Sequence, residues 1–274
     1  MSFVLVEGAL IFAPHPDPTH IRAFDAGYIF IKGGYMEVGT EEHPYTSKLT
    51  ITMHGDVTTP AIPTFGNKNI AVMHGTLSMV GKPRSVVWTL LDSTVLPNAT
   101  QITLMPQAST FDWAVGEQIV IAPTGYSKNE AEVRTIVAVG SDHDVAAKPV
   151  LTLDRPLVYK HYAATETYGN DFIDMRAEVG LLTRNVKFRG DPETSAKNQY
   201  GAHIMLHGMG EESAVGKIMY IELTDVGQAF KLGRYPIHFH MLGKVVRSIV
   251  KGNSIHQTYN RGITVHAVSY FRII

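Results

Sequence analysis

Residues 234–266, RYPIHFHMLGKVVRSIVKGNSIHQTYNRGITVH, hold the densest concentration of chemistry-bearing side chains in the chain. On extended backbone successive side chains point to opposite faces, so Ile237, Phe239 and Met241 share one face and His238 and His240 the other. Ile255 precedes His256 in the same way, and Ile263 and Val265 alternate with Thr264 and His266. His238 to His256 is 18 residues and His238 to His266 is 28, which brackets the roughly 20–30 residues of one β-solenoid coil. Stacked coils would then line these imidazoles along one outer face. Imidazoles near neutral pH serve acid–base work, and the planar forks of Arg234 and Arg261 suit a carboxylate. The candidate ligand-binding set is therefore Arg234, His238, His240, His256, Arg261 and His266, with His203 and His207 as neighbours or bystanders. The structural alternative is a ladder of side chains bonding one coil to the next. Two histidines at i and i+2 with a third nearby could hold zinc, but HExxH and other fixed metal motifs are absent. No metal and no cofactor is expected.

The elements that position these residues are β-strands. The first 165 residues run as short β patterns broken by Gly, Pro and Asn, with no helical period beyond about three turns. Tyr28–Lys32 with Tyr35–Val38, and Asn69–Met73 with Thr76–Val80, form two related units around Gly-containing turns. A looser segment near residues 161–170 marks an expected boundary, giving domains 1–165 and 166–274. Short strands resume after it, including His203–His207, Ile237–Met241, Ser254–His256 and Ile263–His266. Without helical crossovers, neighbouring parallel strands imply a parallel β-helix rather than βαβ units. The final strand runs to Ile274 with nothing capping it, so a continuation is expected.

Composition sets wider bounds. The 274 residues are 45% hydrophobic and 18% charged, with net charge −1, ordinary values for a globular chain able to bury a core. A near-neutral balance offers no electrostatic reason to bind nucleic acid. Cysteine is absent, which removes disulfides and thiolate metal sites. Neither a signal-peptide pattern nor an apolar run of membrane-spanning length occurs, so the chain reads as cytosolic or as a segment of something longer. Asn98-Ala99-Thr100 is a candidate glycosylation sequon. Phosphate loops, dinucleotide fingerprints and a GxSxG elbow are missing. Trp88 and Trp113 read as core or rim anchors.

In residues 174–179, DMRAEV, alternation places Asp174, Arg176 and Glu178 on one face as an ion-pair row clamping the first coil to the preceding domain. The catalytic alternative makes Asp174 and Glu178 the paired carboxylates of a glycosidase. The guanidinium between them argues against it.

GYIFIKGGYMEVGTEEHPYTSKLTITMHGD, IAVMHGTLSMVGKPRSVVWTLL and FDWAVGEQIVIAPTGYS together resemble the G8 domain, an all-β module named for its glycines. DMRAEVGLLTRNVKFRG, GRYPIHFHMLG and SIHQTYNRGITVHAVSY resemble the β-helix that follows it in the fibrocystin family and in surface proteins that degrade or bind hyaluronan. TEEHPY and VTTPAIPTFG look closest to the fibrocystin branch. The resemblance implies an all-β chain in which a G8-type domain leads into a right-handed parallel β-helix. It also implies a piece of a large protein on the extracellular face of the cell membrane, acting in adhesion, sensing or glycan binding. Its partners would be a glycosaminoglycan such as hyaluronan and other extracellular domains of the same parent chain. A hyaluronidase-like enzyme is the alternative, with no catalytic residues carried over.

Overall fold

Apolar residues at every second position, broken by turns every few residues, produce short strands that bury one face. In the computed structural model, which describes residues 2–106, 110–142 and 148–274, these strands stack as parallel coils. The first coil consists of β1 (Phe3–Val6), β2 (Ala9–Ile11) and β3 (Ile21–Ala26). The second repeats it as β4 (Tyr28–Lys32), β5 (Tyr35–Val38) and β6 (Lys48–Met53). The third opens with β7 (Asn69–Met73) and β8 (Thr76–Val80). The related sequence units around Gly-containing turns are thus equivalent sides of successive coils, with β4 parallel to β7 and β5 parallel to β8.

The chain then forms a second compact unit, residues 84–183. It contains β9 (Trp88–Leu90), β10 (Gln101–Thr103), β11 (Gln118–Ile121), β12 (Glu132–Asp142), β13 (Lys148–Leu153), β14 (Thr165–Tyr168), β15 (Asp171–Asp174) and β16 (Glu178–Leu181). Six of these strands form an antiparallel sheet in the order β10-β13-β12-β11-β16-β9, and β14 and β15 form a hairpin. Its core includes Leu91, Ile119, Ile121, Ile136, Val179 and the buried Trp113, whose indole nitrogen donates to the carbonyl of Val86 at 2.8 Å. Trp113 is the anchor expected of it; Trp88 stands largely in solvent.

The third coil is completed by β17 (Val186–Gly190), which lies parallel to β6. A short helix α1 (Pro192–Asn198) follows. Coil four comprises β18 (His203–His207), β19 (Val215–Met219) and β20 (Glu222–Val226), and coil five β21 (Ile237–Lys244), β22 (Ile249–Lys251) and β23 (Ser254–Thr258). The last described coil holds β24 (Ile263–Ser269) and β25 (Arg272–Ile273). Three parallel sheets result: β1-β4-β7-β18-β21-β24, β2-β5-β8-β19-β22-β25 and β3-β6-β17-β20-β23. The compact units therefore do not follow the expected division at 165/166, which falls inside the β14–β15 hairpin: residues 1–83 pack with 184–274. The interruption hides from a linear reading because the two parts of coil three are separated by an antiparallel unit whose strands are, apart from β12, as short as those of the coils.

Register builds the core of the first unit. Val4, Ile29, Ile70, Ile204, Ile237 and Ile263 occupy one inward column. Val6, Ile31, Val72, Leu206, Phe239 and Val265 occupy the next. Each fully buried side chain of this size stabilises by roughly 1.5–3 kcal/mol. Met241 departs from the expected inward face. It adopts φ 54° where the register shifts between His240 and Gly243, and the irregularity turns it into solvent.

Helix α1 also departs from the expectation of strands alone. Asp191 caps it, accepting from the Thr194 amide at 2.9 Å, with Pro192 at its start and Gln199 left-handed at its end. Its cap is tied to the start of β7 by Lys68, whose side chain is fully buried. The Lys68 ammonium donates to Asp191 at 2.9 Å, Ser195 at 2.8 Å and the Tyr200 carbonyl at 3.0 Å. All three of its protons have acceptors, the condition under which a buried ammonium is tolerated.

His203 is buried without a carboxylate. Its Nε2 donates to the Phe65 carbonyl at 2.9 Å, and burial pushes its pKa down to about 3, only partly opposed by that hydrogen bond. The unfolded chain binds a proton near pH 6.5 while the folded chain refuses it, so the contribution of His203 to stability is full above pH 6.5 and is lost as pH falls toward 3. Chemical denaturation at pH 7, 6 and 5 should therefore show His203→Gln losing less stability on acidification than the wild type. The difference should approach about 1.4 kcal/mol per pH unit below the unfolded pKa.

Candidate functional site

Column geometry brings three of the four predicted histidines together. Outward positions on the first sheet run Leu5, Phe30, Ala71, Met205, His238, Thr264 in one column. In the next, His207 pairs with His240 and His240 with His266. The ring centroids of His207 and His240 are 5.0 Å apart, those of His238 and His240 4.9 Å, and those of His240 and His266 4.9 Å. His240 Nδ1 and His266 Nδ1 approach to 3.0 Å. His207 Nδ1 donates to the His240 carbonyl at 3.2 Å, which fastens coil four to coil five beneath the cluster. His203 lies on the same strand but is occupied in the core.

His256 does not join them. It stands on β23, in a different sheet, with Nε2 3.2 Å from Glu222, and Glu222 also receives Lys187 at 2.9 Å. Lys187, Glu222 and His256 bridge three coils in a row, so here the ladder reading holds. The reason is arithmetic: one coil from His240 to His266 takes 26 residues, whereas the 18 from His238 to His256 carry the chain around to another side.

The histidines line a groove of about 600 Å³ whose walls include Met205, Tyr235, His238, His240, Thr264 and His266, together with Arg234 and Arg261. His238 is 3% exposed. Its Nδ1 donates to the Gly233 carbonyl at 3.0 Å, which leaves Nε2 as the lone-pair nitrogen. That atom is buried without a partner among the described residues, and so is Thr264 Oγ1 across the coil step. Burial lowers the His238 pKa to about 4, against a smaller opposing effect of the Gly233 hydrogen bond. Burial, and then the neighbouring imidazole of His207, also lowers that of His240.

Arg234 is half-buried, and among the described residues it has no carboxylate partner. Its Nη1 lies 3.8 Å from Met205 Sδ, a weak acceptor, and burial lowers its pKa. The guanidinium of Arg261 sits 5.9 Å from the Tyr235 ring centre and, among the described residues, likewise has no ion pair. Room for Arg234 comes from Gly66 (φ 84°), where a Cβ would lie 2.4 Å from Arg234 Nε. Thr264, Met205, Tyr235 and Gly66 were not among the candidate site residues. Thr264 could have been found by applying the 26-residue coil step to His238.

The charged row of the second unit is shorter than expected. Arg176 pairs with Asp174 at 2.9 Å and donates to Thr165 at 2.9 Å. Glu178 begins a separate strand and has no ion pair among the described residues. A row of three on one face needs unbroken extended backbone, and residues 175–177 leave the strand. All three residues lie inside the second unit, so the row joins no coil to another domain. Asn98 is exposed in a turn, with φ 74°.

Residues 1–92 match the family model of the G8 domain, and residues 199–274 that of the CEMIP beta-helix. The chain belongs with the proteins that join a G8 domain to this β-helix. In particular it is similar to a segment of fibrocystin-L: 37% identical to the Mus musculus protein and 34% to the Homo sapiens protein, each over 97% of this chain. A G8 domain-containing protein of Dictyostelium discoideum is 29% identical over 97% of this chain. This chain spans 7% of either fibrocystin-L and 17% of the Dictyostelium protein. Among solved structures, the tailspike gp61 of Pseudomonas phage phi297 aligns over 89% of this chain and 36% of its own, at 12% identity and a TM-score of 0.30.

Gly33 (φ 72°) also has a left-handed backbone, but a Cβ there meets nothing closer than 3.8 Å. Gly33→Ala should therefore cost only the left-handed strain, about 1–2 kcal/mol. Gly66→Ala should cost more, because it also displaces Arg234. Urea unfolding of both variants measures the difference; equal losses would mean that Arg234 does not depend on the glycine.

Proposed function

We propose that the chain is an extracellular module of a cell-surface protein and that its groove binds an acidic glycan, hyaluronan-like in carrying uronic-acid carboxylates. Arg234 carries this reading. A guanidinium withdrawn from water without a counter-charge is costly, and a ligand carboxylate would supply that charge through two parallel hydrogen bonds. Arg261 offers a second guanidinium along the same wall. Tyr235 and Leu232 provide apolar surface beside the charges, the usual composition of a small-molecule site. His238 Nε2 and Thr264 Oγ1 stand ready to bond sugar hydroxyls. The likeness to fibrocystin-L and the CEMIP beta-helix match support the surface context.

Glycoside hydrolysis by the usual route needs two carboxyl groups about 5–9.5 Å apart. Among the described residues the groove lining contains no Asp or Glu, so these side chains favour binding over cleavage by that route.

Calorimetric titration with a uronic-acid oligosaccharide tests the reading. Arg234→Met and Arg261→Met should each weaken binding by roughly tenfold or more, the loss of a charge-assisted hydrogen-bond pair. Arg247→Met should change nothing, since Arg247 is already paired with Glu212 at 3.0 Å and lies outside the groove. Wild-type affinity in both groove variants would refute the assignment.

A further inference from the structure

We propose that His238, His240 and His266 form a three-histidine site for a divalent transition-metal ion such as Zn2+. One ring nitrogen from each lies within 4.8 Å of one from each of the others. Imidazole nitrogens are good ligands for Zn2+, and three protein ligands with an open fourth position form a recurrent arrangement.

The orientation of His238 is the strongest support. A carbonyl can only accept, so the 3.0 Å contact with Gly233 fixes the proton on Nδ1 and directs the lone pair of Nε2 into the groove. A backbone carbonyl holding the far nitrogen of a histidine is the usual support for a metal ligand. Nε2 is buried and unpartnered, an arrangement that costs stability until something accepts its lone pair. The 3.0 Å approach of His240 Nδ1 and His266 Nδ1 is a second sign. Without an ion, one of these nitrogens must donate a proton to the other; an ion lets both present lone pairs. Tetrahedral bonds of about 2.0–2.1 Å put ligand nitrogens roughly 3.3 Å apart. Closing the three-nitrogen spread to that separation requires modest ring rotation, which the exposed His266 and half-buried His240 can supply while His238 stays fixed.

The site occupies two adjacent coils, so β21 and β24 must be in register for it to exist. Arg234 shares the groove, and its positive charge opposes a dication. Three neutral imidazole ligands outweigh one guanidinium held to the side, and the two arginines then favour an anion as the fourth ligand. The metal would take the His238 Nε2 lone pair that the glycan reading offers to a sugar hydroxyl, but it does not depend on the arginine–carboxylate contacts, so either reading can fail alone.

Titration of the chain with Co2+, and separately with Zn2+, in a non-coordinating buffer tests the site. One equivalent of Co2+ should bind with the visible absorption of a four-coordinate nitrogen site, and Zn2+ should raise the melting temperature. His266→Gln, an exposed change unlike one at the buried His238, should weaken binding by about tenfold or more and abolish the Co2+ bands. His256→Gln should match the wild type, and Arg234→Met should keep or strengthen metal binding while impairing that of the glycan. Absence of saturable one-equivalent binding, or wild-type affinity in His266→Gln, would overturn the proposal.

Discussion

The in-register stacking of β18, β21 and β24 is the constraint on which the molecule's chemistry depends. Side chains alternate in a strand, so one register decides both what is buried and what is displayed. With Ile204, Ile237 and Ile263 in one inward column and Leu206, Phe239 and Val265 in the next, the intervening positions face outward. Those positions are Met205, His238 and Thr264, and beside them His207, His240 and His266. A slip of one residue would bury imidazoles and expose the core. The hydrophobic effect that stabilises the coil stack therefore also aligns the histidine wall of the groove, while the segments between strands bring Arg234, Tyr235 and Arg261 to it.

The groove gathers on one wall polar groups that are set up but unanswered. Several buried or partly buried charges elsewhere are matched: Lys68 by Asp191 and hydroxyls, Arg84 by Asp112 and Glu117, and Glu222 by Lys187 and His256. In the groove, among the described residues, Arg234 and Arg261 have no carboxylate partner and His238 Nε2 and Thr264 Oγ1 have no hydrogen-bond partner. Folding normally satisfies buried polar atoms, so a cluster of exceptions on one wall marks a place where binding supplies what folding left out.

Much of the fold was legible because period-two patterning is a local signal. β4, β5, β7, β8 and β18 lie at the bounds that alternation and glycine turns suggest. Three things were not legible. The split of coil three around residues 84–183 is a long-range pairing, and nothing local in β8 or β17 announces it. The face of His256 depends on how many residues complete a coil, which turn lengths set and strand patterns do not. The row at Asp174, Arg176 and Glu178 assumed one continuous strand where β15 ends at Asp174 and β16 begins at Glu178. The site was half legible: residue types marked His238, His240, His266, Arg234 and Arg261, but Gly66 and Thr264 became visible only once coils were stacked.

The central claim is that the groove recognises carboxylate charge on a sugar chain. Its most direct measurement compares, by calorimetry, a uronic-acid oligosaccharide with its carboxyl-reduced counterpart, identical in rings and linkages but neutral. Saturable binding of the acidic form that weakens with salt, together with loss of binding by the reduced form, is the result predicted. Equal binding of the two forms, or no binding of the acidic form, would contradict the account.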